Sequence, residues 1–263
     1  MKSLLDSDSG WTVDQADGLR RLFARTGCTV MPLVSNPEVK ASGVAVERLT
    51  AVLALQGRKT LVVDAGETSP PPAEVSALEL APCIERLSPT ISYLAARGLP
   101  RRYVDLQGSA ARLLDELTRL VPDAEVVLLH ASAADLARLC TGRLLRPILL
   151  AGDHPESVKQ AYAGMKLLAQ RSAWKSFDLL MLAPSRTERL AAIARSLADC
   201  ADQFVGATLR DWAGVDELVP AWQAPGADLQ RLVLSHFEDQ GAGSSAARRP
   251  GLEWSSQSSL TRS

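Results

Sequence analysis

Residues 30–66, VMPLVSNPEVKASGVAVERLTAVLALQGRKTLVVDAG, hold a short apolar run, a polar loop, a segment of helical period and a second apolar run ending at Asp64. A short apolar run without polar alternation reads as a strand buried on both faces. Two such strands joined through a helix make a parallel pair, since a parallel connection needs the length of a crossover.

The same alternation continues. Strands are expected at 90–94, 125–129, 147–150, 177–182 and 203–208, and helices at 75–87, 110–121, 133–139, 156–170 and 186–200. GETSPPPAE, residues 66–74, is a loop, because consecutive prolines continue neither element. The expected fold class is α/β: a doubly wound, mostly parallel sheet with helices on both faces. Three regions are expected: an N-terminal segment 1–26, an α/β domain 27–240 and a disordered, low-complexity tail 241–263.

Composition narrows the function. A formal charge of −1 and 5 % aromatics give neither a basic footprint nor stacking platforms for nucleic acid, so none is expected as a partner. The four cysteines, Cys28, Cys83, Cys140 and Cys200, form no C-x-x-C pair and three histidines stand beside them, so no metal site is expected. The N-terminus has no signal-like apolar run, and the chain reads as cytoplasmic, with recruitment to a membrane or cell pole left to a partner.

In a doubly wound sheet the loop after the first strand is the usual ligand site. Here it is SNPEVKASG, residues 35–43. A phosphate cradle needs converging backbone N–H donors, glycines, a lysine and a magnesium-binding hydroxyl. Pro37 has no N–H, Glu38 is anionic, Gly43 is the sole glycine and Lys40 the sole cation of the loop. A carboxylate about 4 Å from a phosphate costs roughly 4 kcal/mol at an effective dielectric near 20. Asp64 reads as a cap for the following turn; His130 as a structural histidine or, less simply, a base or ligand.

The register of residues 30–66 resembles the first unit of the MinD/ParA class of deviant Walker ATPases, whose loop reads K-G-G-x-G-K-[ST]. Pro37 falls on the signature lysine, and Ala41, Ser42 and Gly43 fall on Gly, Lys and Thr. The strand that should end in the Walker B aspartate ends in His130, the second aspartate after strand two is Gly66, and the base-reading asparagine has no counterpart near Met181. The resemblance therefore implies a P-loop NTPase fold with degenerate nucleotide motifs: a pseudo-ATPase without cofactor. The alternative is a divergent ATPase in which Lys40 or Arg48 is recruited to the phosphates of ATP–Mg; a scaffold for another regulator is a third reading.

Within that class the likeness is to the flagellar-number regulators, FlhG or FleN, marked by D-Q-A-x-x-L-R before the core. This chain has Asp14, Gln15, Ala16, Asp17, Gly18, Leu19 and Arg20 in that order, and residues 147–168 resemble the group's strand-loop-helix with its A-Y-A-x-x-K run. The resemblance implies a partner GTPase of the signal-recognition-particle type, FlhF, contacted by Asp14, Gln15, Ala16, Leu19 and Arg20, with Gln15 orienting the attacking water. Flagellar basal-body or transcriptional regulators are further partners it allows. The plain alternative is an amphipathic helix packed on its own core. Near the C-terminus, ADLQRLVLSHFED places Leu229, Leu232, Val233, His236 and Phe237 on one face; acidic neighbours make it a core helix rather than a membrane anchor, and a monomer is expected.

Overall fold

The computed structural model describes residues 28–72, 79–184 and 187–246, the side chains of 187, 188 and 238–246 excepted. In chain order the elements are β1 (Thr29–Val34), α1 (Ser42–Leu55), β2 (Thr60–Ala65), β3 (Glu85–Arg86), β4 (Ile91–Ala95), α2 (Leu99–Arg102), α3 (Ala111–Leu120), β5 (Val126–Ala131) and α4 (Ala133–Leu139). Then follow β6 (Ile148–Gly152), α5 (Pro155–Arg171), β7 (Ser176–Leu182), α6 (Thr187–Cys200), β8 (Thr208–Val215) and α7 (Ala227–Ala246).

The strands form one sheet in the order β3-β4-β2-β5-β1-β6-β7-β8, parallel throughout the described residues except where β3 pairs antiparallel with β4. This is the α/β, doubly wound architecture expected. Period two on β1 sorts its side chains: Met31 and Leu33 join Leu49, Leu53, Leu232 and Val233 beneath α1 and α7, whereas Val30 and Val34 join Leu136, Met165 and Leu168 on the opposite face. In the inner strands β1, β2, β5, β6 and β7, buried along nearly their whole length, backbone pairing and apolar burial reinforce each other, which is why these runs are aliphatic rather than alternating.

Pro32 sits inside the central strand β1 without breaking it. Thr29 and Ser35 donate their N–H groups to Glu125 and Ala131, so the odd residues of β1 face β5. The missing donor of Pro32 therefore lies on the β6 side, where pairing begins at Leu33.

Three expectations fail. Residues 79–87 are no helix: a 3₁₀ turn, Ala81–Cys83, leads into the edge strand β3, because Pro82 interrupts the helical ladder; residues 75–78 lie outside the described residues. Residues 203–208 are not a strand: α6 runs on as a π-helix, Ala201–Val205, closed by Gly206 at φ 61°, and β8 starts at Thr208. Finally, α7 continues to Ala246, past the boundary placed at residue 240. On α7, Leu229, Leu232, Val233 and His236 are buried, so it is a core helix. No described helix is long and apolar enough to cross a membrane. The cysteines form no disulfide among the described residues, and burial pushes the Cys140 thiol up to about 12.

Candidate functional site

The site lies at the carboxyl ends of β1, β2, β5 and β6. From β1 the chain passes by α1 to β2 on one side, and from β5 it passes by α4 to β6 on the other, so the winding of the sheet reverses at β1, the place where an open α/β sheet leaves a crevice.

The loop between β1 and α1 is held from below by one buried side chain. Asn36 donates from Nδ2 to the carbonyls of Leu150 (2.8 Å) and Ser157 (2.9 Å) and to Ser157 Oγ (3.1 Å), and its Oδ1 accepts from the Glu38 N–H at 3.0 Å. Ser157 Oγ in turn accepts from the Gly152 N–H at 2.6 Å. Asn36 thus ties the loop to β6 and α5 and fixes an Asx turn that starts at the residue before Pro37. Val39 completes the anchorage by inserting into the apolar layer under α1.

The loop's sequence-marked residues part company. Pro37, Glu38 and Lys40 stand in solvent beside a cleft of about 340 Å³ shared with Gly152, His154, Pro184 and Glu217. Ser42, the first residue of α1, is buried and exchanges a 3.1 Å hydrogen bond with Thr68. Gly43 is exposed, and a Cβ there would meet nothing within 4 Å. Arg48 is turned away from the site: its guanidinium donates to the carbonyls of Gln223 (2.9 Å), Pro220 (2.8 Å) and Val219, gripping the loop between β8 and α7. It is not placed to meet a phosphate.

Asp64 and His130 come together. Parallel pairing of β2 with β5 sets them side by side at the strand ends, and His130 Nδ1 lies 2.6 Å from Asp64 Oδ1. Ser69 donates to the same oxygen and Tyr93 donates to Oδ2 at 3.1 Å. Burial alone would push the Asp64 carboxyl up, but the hydrogen bonds from His130 and Ser69, the His130 charge and the Tyr93 hydroxyl together hold it below the usual range. Tyr93 responds in the opposite sense: burial, then the Asp64 charge, push its phenol up. His130 is itself buried, and its Nε2 has no hydrogen-bond partner among the described residues.

Gly66 makes this arrangement possible. A Cβ there would lie 2.4 Å from His130 Cε1, 2.9 Å from Nδ1 and 2.7 Å from Ser69 Oγ. The imidazole occupies the space that any larger residue at position 66 would need.

A magnesium triphosphate requires free carboxylate lone pairs, a hydroxyl at the start of the helix and a lysine over the phosphates. At this end of the sheet Asp64 already accepts from three donors, the hydroxyl-bearing Ser42 is bonded to Thr68 one residue before the exposed Gly43, and β5 brings an imidazole, His130, rather than a second carboxylate against Asp64. These residues do not fit the ion and nucleotide, and no hydrolytic step is built on them. Asp14, Gln15, Ala16, Leu19 and Arg20 lie outside the described residues. Sequence reasoning missed Asn36, Ser69, Thr68 and Tyr93; of these, Asn36 carried a signal in its position before Pro37, typical of an Asx turn.

No family model matches the chain, and no curated protein matches it. Solved structures do. A cobyrinic acid a,c-diamide synthase from Mycobacterium smegmatis, with bound ATP analogue and magnesium, superposes with TM-score 0.58 at 18 % identity, covering 82 % of this chain and 96 % of that one. A putative plasmid partition protein from Borrelia burgdorferi B31, bound to AMPPNP, gives 0.57 at 7 % identity, covering 81 % and 99 %. The MinD cell division protein of Aquifex aeolicus gives 0.53 at 12 % identity, covering 79 % and 98 %. The chain has the fold of these MinD/ParA-type P-loop proteins; at such identities the likeness concerns the fold.

Proposed function

We propose that the chain is a MinD/ParA-type pseudo-ATPase, an FlhG-like regulator of flagellar biosynthesis that acts as a binding protein rather than by its own hydrolysis. The observation that carries the first half is the Asp64–His130 pair. A nucleotide site needs charge held open toward solvent for magnesium, and here that charge is spent on a buried hydrogen bond between two strands. The second half rests on the sequence Asp14 to Arg20, which supplies a glutamine and a helical apolar stripe suited to a groove on a GTPase of the signal-recognition-particle type. In this reading the chain acts as a monomer, reaches a pole or membrane through its partner, and stimulates GTP hydrolysis without binding nucleotide itself.

The test is calorimetric titration with ATP and ADP in magnesium, beside GTP turnover of a purified FlhF-type GTPase with and without this chain. Absence of heat together with stimulation that vanishes in Gln15→Ala supports the proposal. Magnesium-dependent ATP binding overturns it and favours a divergent ATPase using Lys40. Stimulation or partner binding that survives removal of residues 1–26 favours the scaffold reading.

A further inference from the structure

The two ends of the sheet are built differently. At one, β3 has only two residues, Glu85 and Arg86, both charged and exposed. At the other, β8 runs for eight residues and pairs with β7 alone among the described residues. A strand of that length with one side unpaired is a template for a further strand.

Register decides which backbone groups of β8 face outward. Ala183 donates its N–H to the carbonyl of Val215, so Val215 is turned toward β7. Period two then turns Ala213 the same way and Trp212, opposite Leu179, the other way. The N–H and C=O of Trp212 therefore lie on the outer edge, and side chains hold both of them. The N–H donates to Asp211 Oδ1 at 2.8 Å, and the carbonyl accepts from Arg231 Nη2 at 3.3 Å. Arg231, on α7, also grips Asp211 with two prongs, Nε to Oδ2 and Nη2 to Oδ1, each 3.1 Å, and its Nη1 donates to Asp228 at 2.6 Å. Just before this clamp the strand is irregular. Phe177 lies opposite Leu209 and Asp178 opposite Asp211, which leaves Arg210 as an extra residue, a bulge of the kind that interrupts edge pairing. The Arg231 side chain is 54 % exposed, so as an ion pair the clamp adds little to stability. Its effect is on the edge.

We propose that the Asp211–Arg231 clamp guards the outer edge of β8, closing it to the β8 strand of a second copy of this chain. A second copy is the occupant this edge fits. Trp212 turns one donor and one acceptor to the same side, and an antiparallel two-fold pairing sets such a residue opposite itself, where the two exchange both hydrogen bonds. A formal charge of −1 gives the copies little mutual repulsion. With the clamp shut the chain stays a monomer; with it open, two eight-stranded sheets join edge to edge. This inference goes beyond the functional reading above and does not rest on it.

Sedimentation equilibrium of the full chain tests it, with Arg231→Ala and Asp211→Ala beside the parent. Alanine suits an exposed helix position, so Arg231→Ala is expected to melt within about 3 °C of the parent. Each variant is expected to self-associate at least about tenfold more strongly than the parent, its mass rising above the 28.2 kDa of one chain toward about 300 µM. Amide exchange locates the contact: in the variants the β8 amides should slow as concentration rises. Variants as monomeric as the parent overturn the proposal, and so does a parent already paired through β8. Association that leaves β8 exchange unchanged overturns it as well, by putting the interface elsewhere. Slowing that is independent of concentration has the same force, since it places a segment of the same chain on the edge. None of these readouts uses a nucleotide or a GTPase, so failure here and failure of the pseudo-ATPase reading are told apart.

Discussion

Gly66 and His130 constrain each other across the gap between β2 and the end of β5: the hydrogen that serves as the Gly66 side chain is what lets the imidazole reach Asp64. Gly66→Ala is expected to destabilise the fold by roughly 1–3 kcal/mol through overpacking. In the His130→Ala background the same change should cost much less, giving a coupling on the order of 1 kcal/mol in a double-mutant cycle. Denaturant unfolding of the four proteins measures it. Additive effects would mean that the two positions are independent.

The Asp64 carboxyl is held low in the folded chain, so the sign of its pH effect is set. Its contribution to stability is present above the unfolded value, about 3.9, and is lost as pH falls through the lower folded value. Asp64→Asn is therefore expected to be less stable than the parent at pH 7, by roughly 1–3 kcal/mol for the charged hydrogen bonds removed. The gap should narrow as the solution is brought below about pH 4. Thermal unfolding against pH reads both; a gap that widens toward acid contradicts the assignment.

Arg48 holds three carbonyls of the segment between β8 and α7 while itself buried. Arg48→Met keeps much of the apolar stem and removes the donors, leaving those carbonyls without them; a loss of about 2–4 kcal/mol is expected. Amide exchange should quicken most in residues 216–223. Exchange that quickens instead around residues 37–43 would place Arg48 in the loop after β1 after all.

Asn36→Ala is expected to loosen the loop after β1 together with the end of β6, since one side chain bonds both. About 2–4 kcal/mol is at stake for a buried amide with several partners. Asn36→Asp should be no milder, because a carboxylate would face the carbonyls of Leu150 and Ser157.

Rebuilding part of the phosphate loop should not rebuild nucleotide binding. With Ser42→Lys and Gly43→Thr in place, Asp64 remains engaged by His130, and no magnesium-dependent ATP binding tighter than about millimolar is expected by calorimetry. A micromolar Kd in that variant would show that the loop backbone still forms a cradle.

Strands and helices with strong local periodicity were readable from the chain, because burial on both faces leaves an aliphatic run and amphipathic cover leaves a helical one. Errors fell where a local signal competed with a tertiary one. Residues 79–87 have apolar spacing but belong to a sheet edge, and Phe204 looked like a strand residue while lying exposed on a π-helix. At the site, Pro37, Ser42 and His130 were each marked in the sequence one by one. The pairing of His130 with Asp64, 66 residues apart, was not, because it exists through sheet register alone. Arg48 entered only as one of two cations for phosphate in the alternative ATPase reading, although its place between Ala45 and Leu49 on the buried stripe of α1 marked it as an inward residue needing acceptors.

The place of β1 in the middle of the sheet has a consequence for the nascent chain. Its neighbours are β5 and β6, so Thr29 awaits Val126 and Leu33 awaits Ile148. At ribosomal speeds of roughly 5–20 residues per second, a wait of about 100 residues lasts roughly 5–20 s. For that interval β1 is an apolar strand with both edges open, and α1 has no completed sheet to cover. Folding in the cell must wait on sequence far downstream, and a chain stalled before residue 126 presents this strand to chaperones or to other chains.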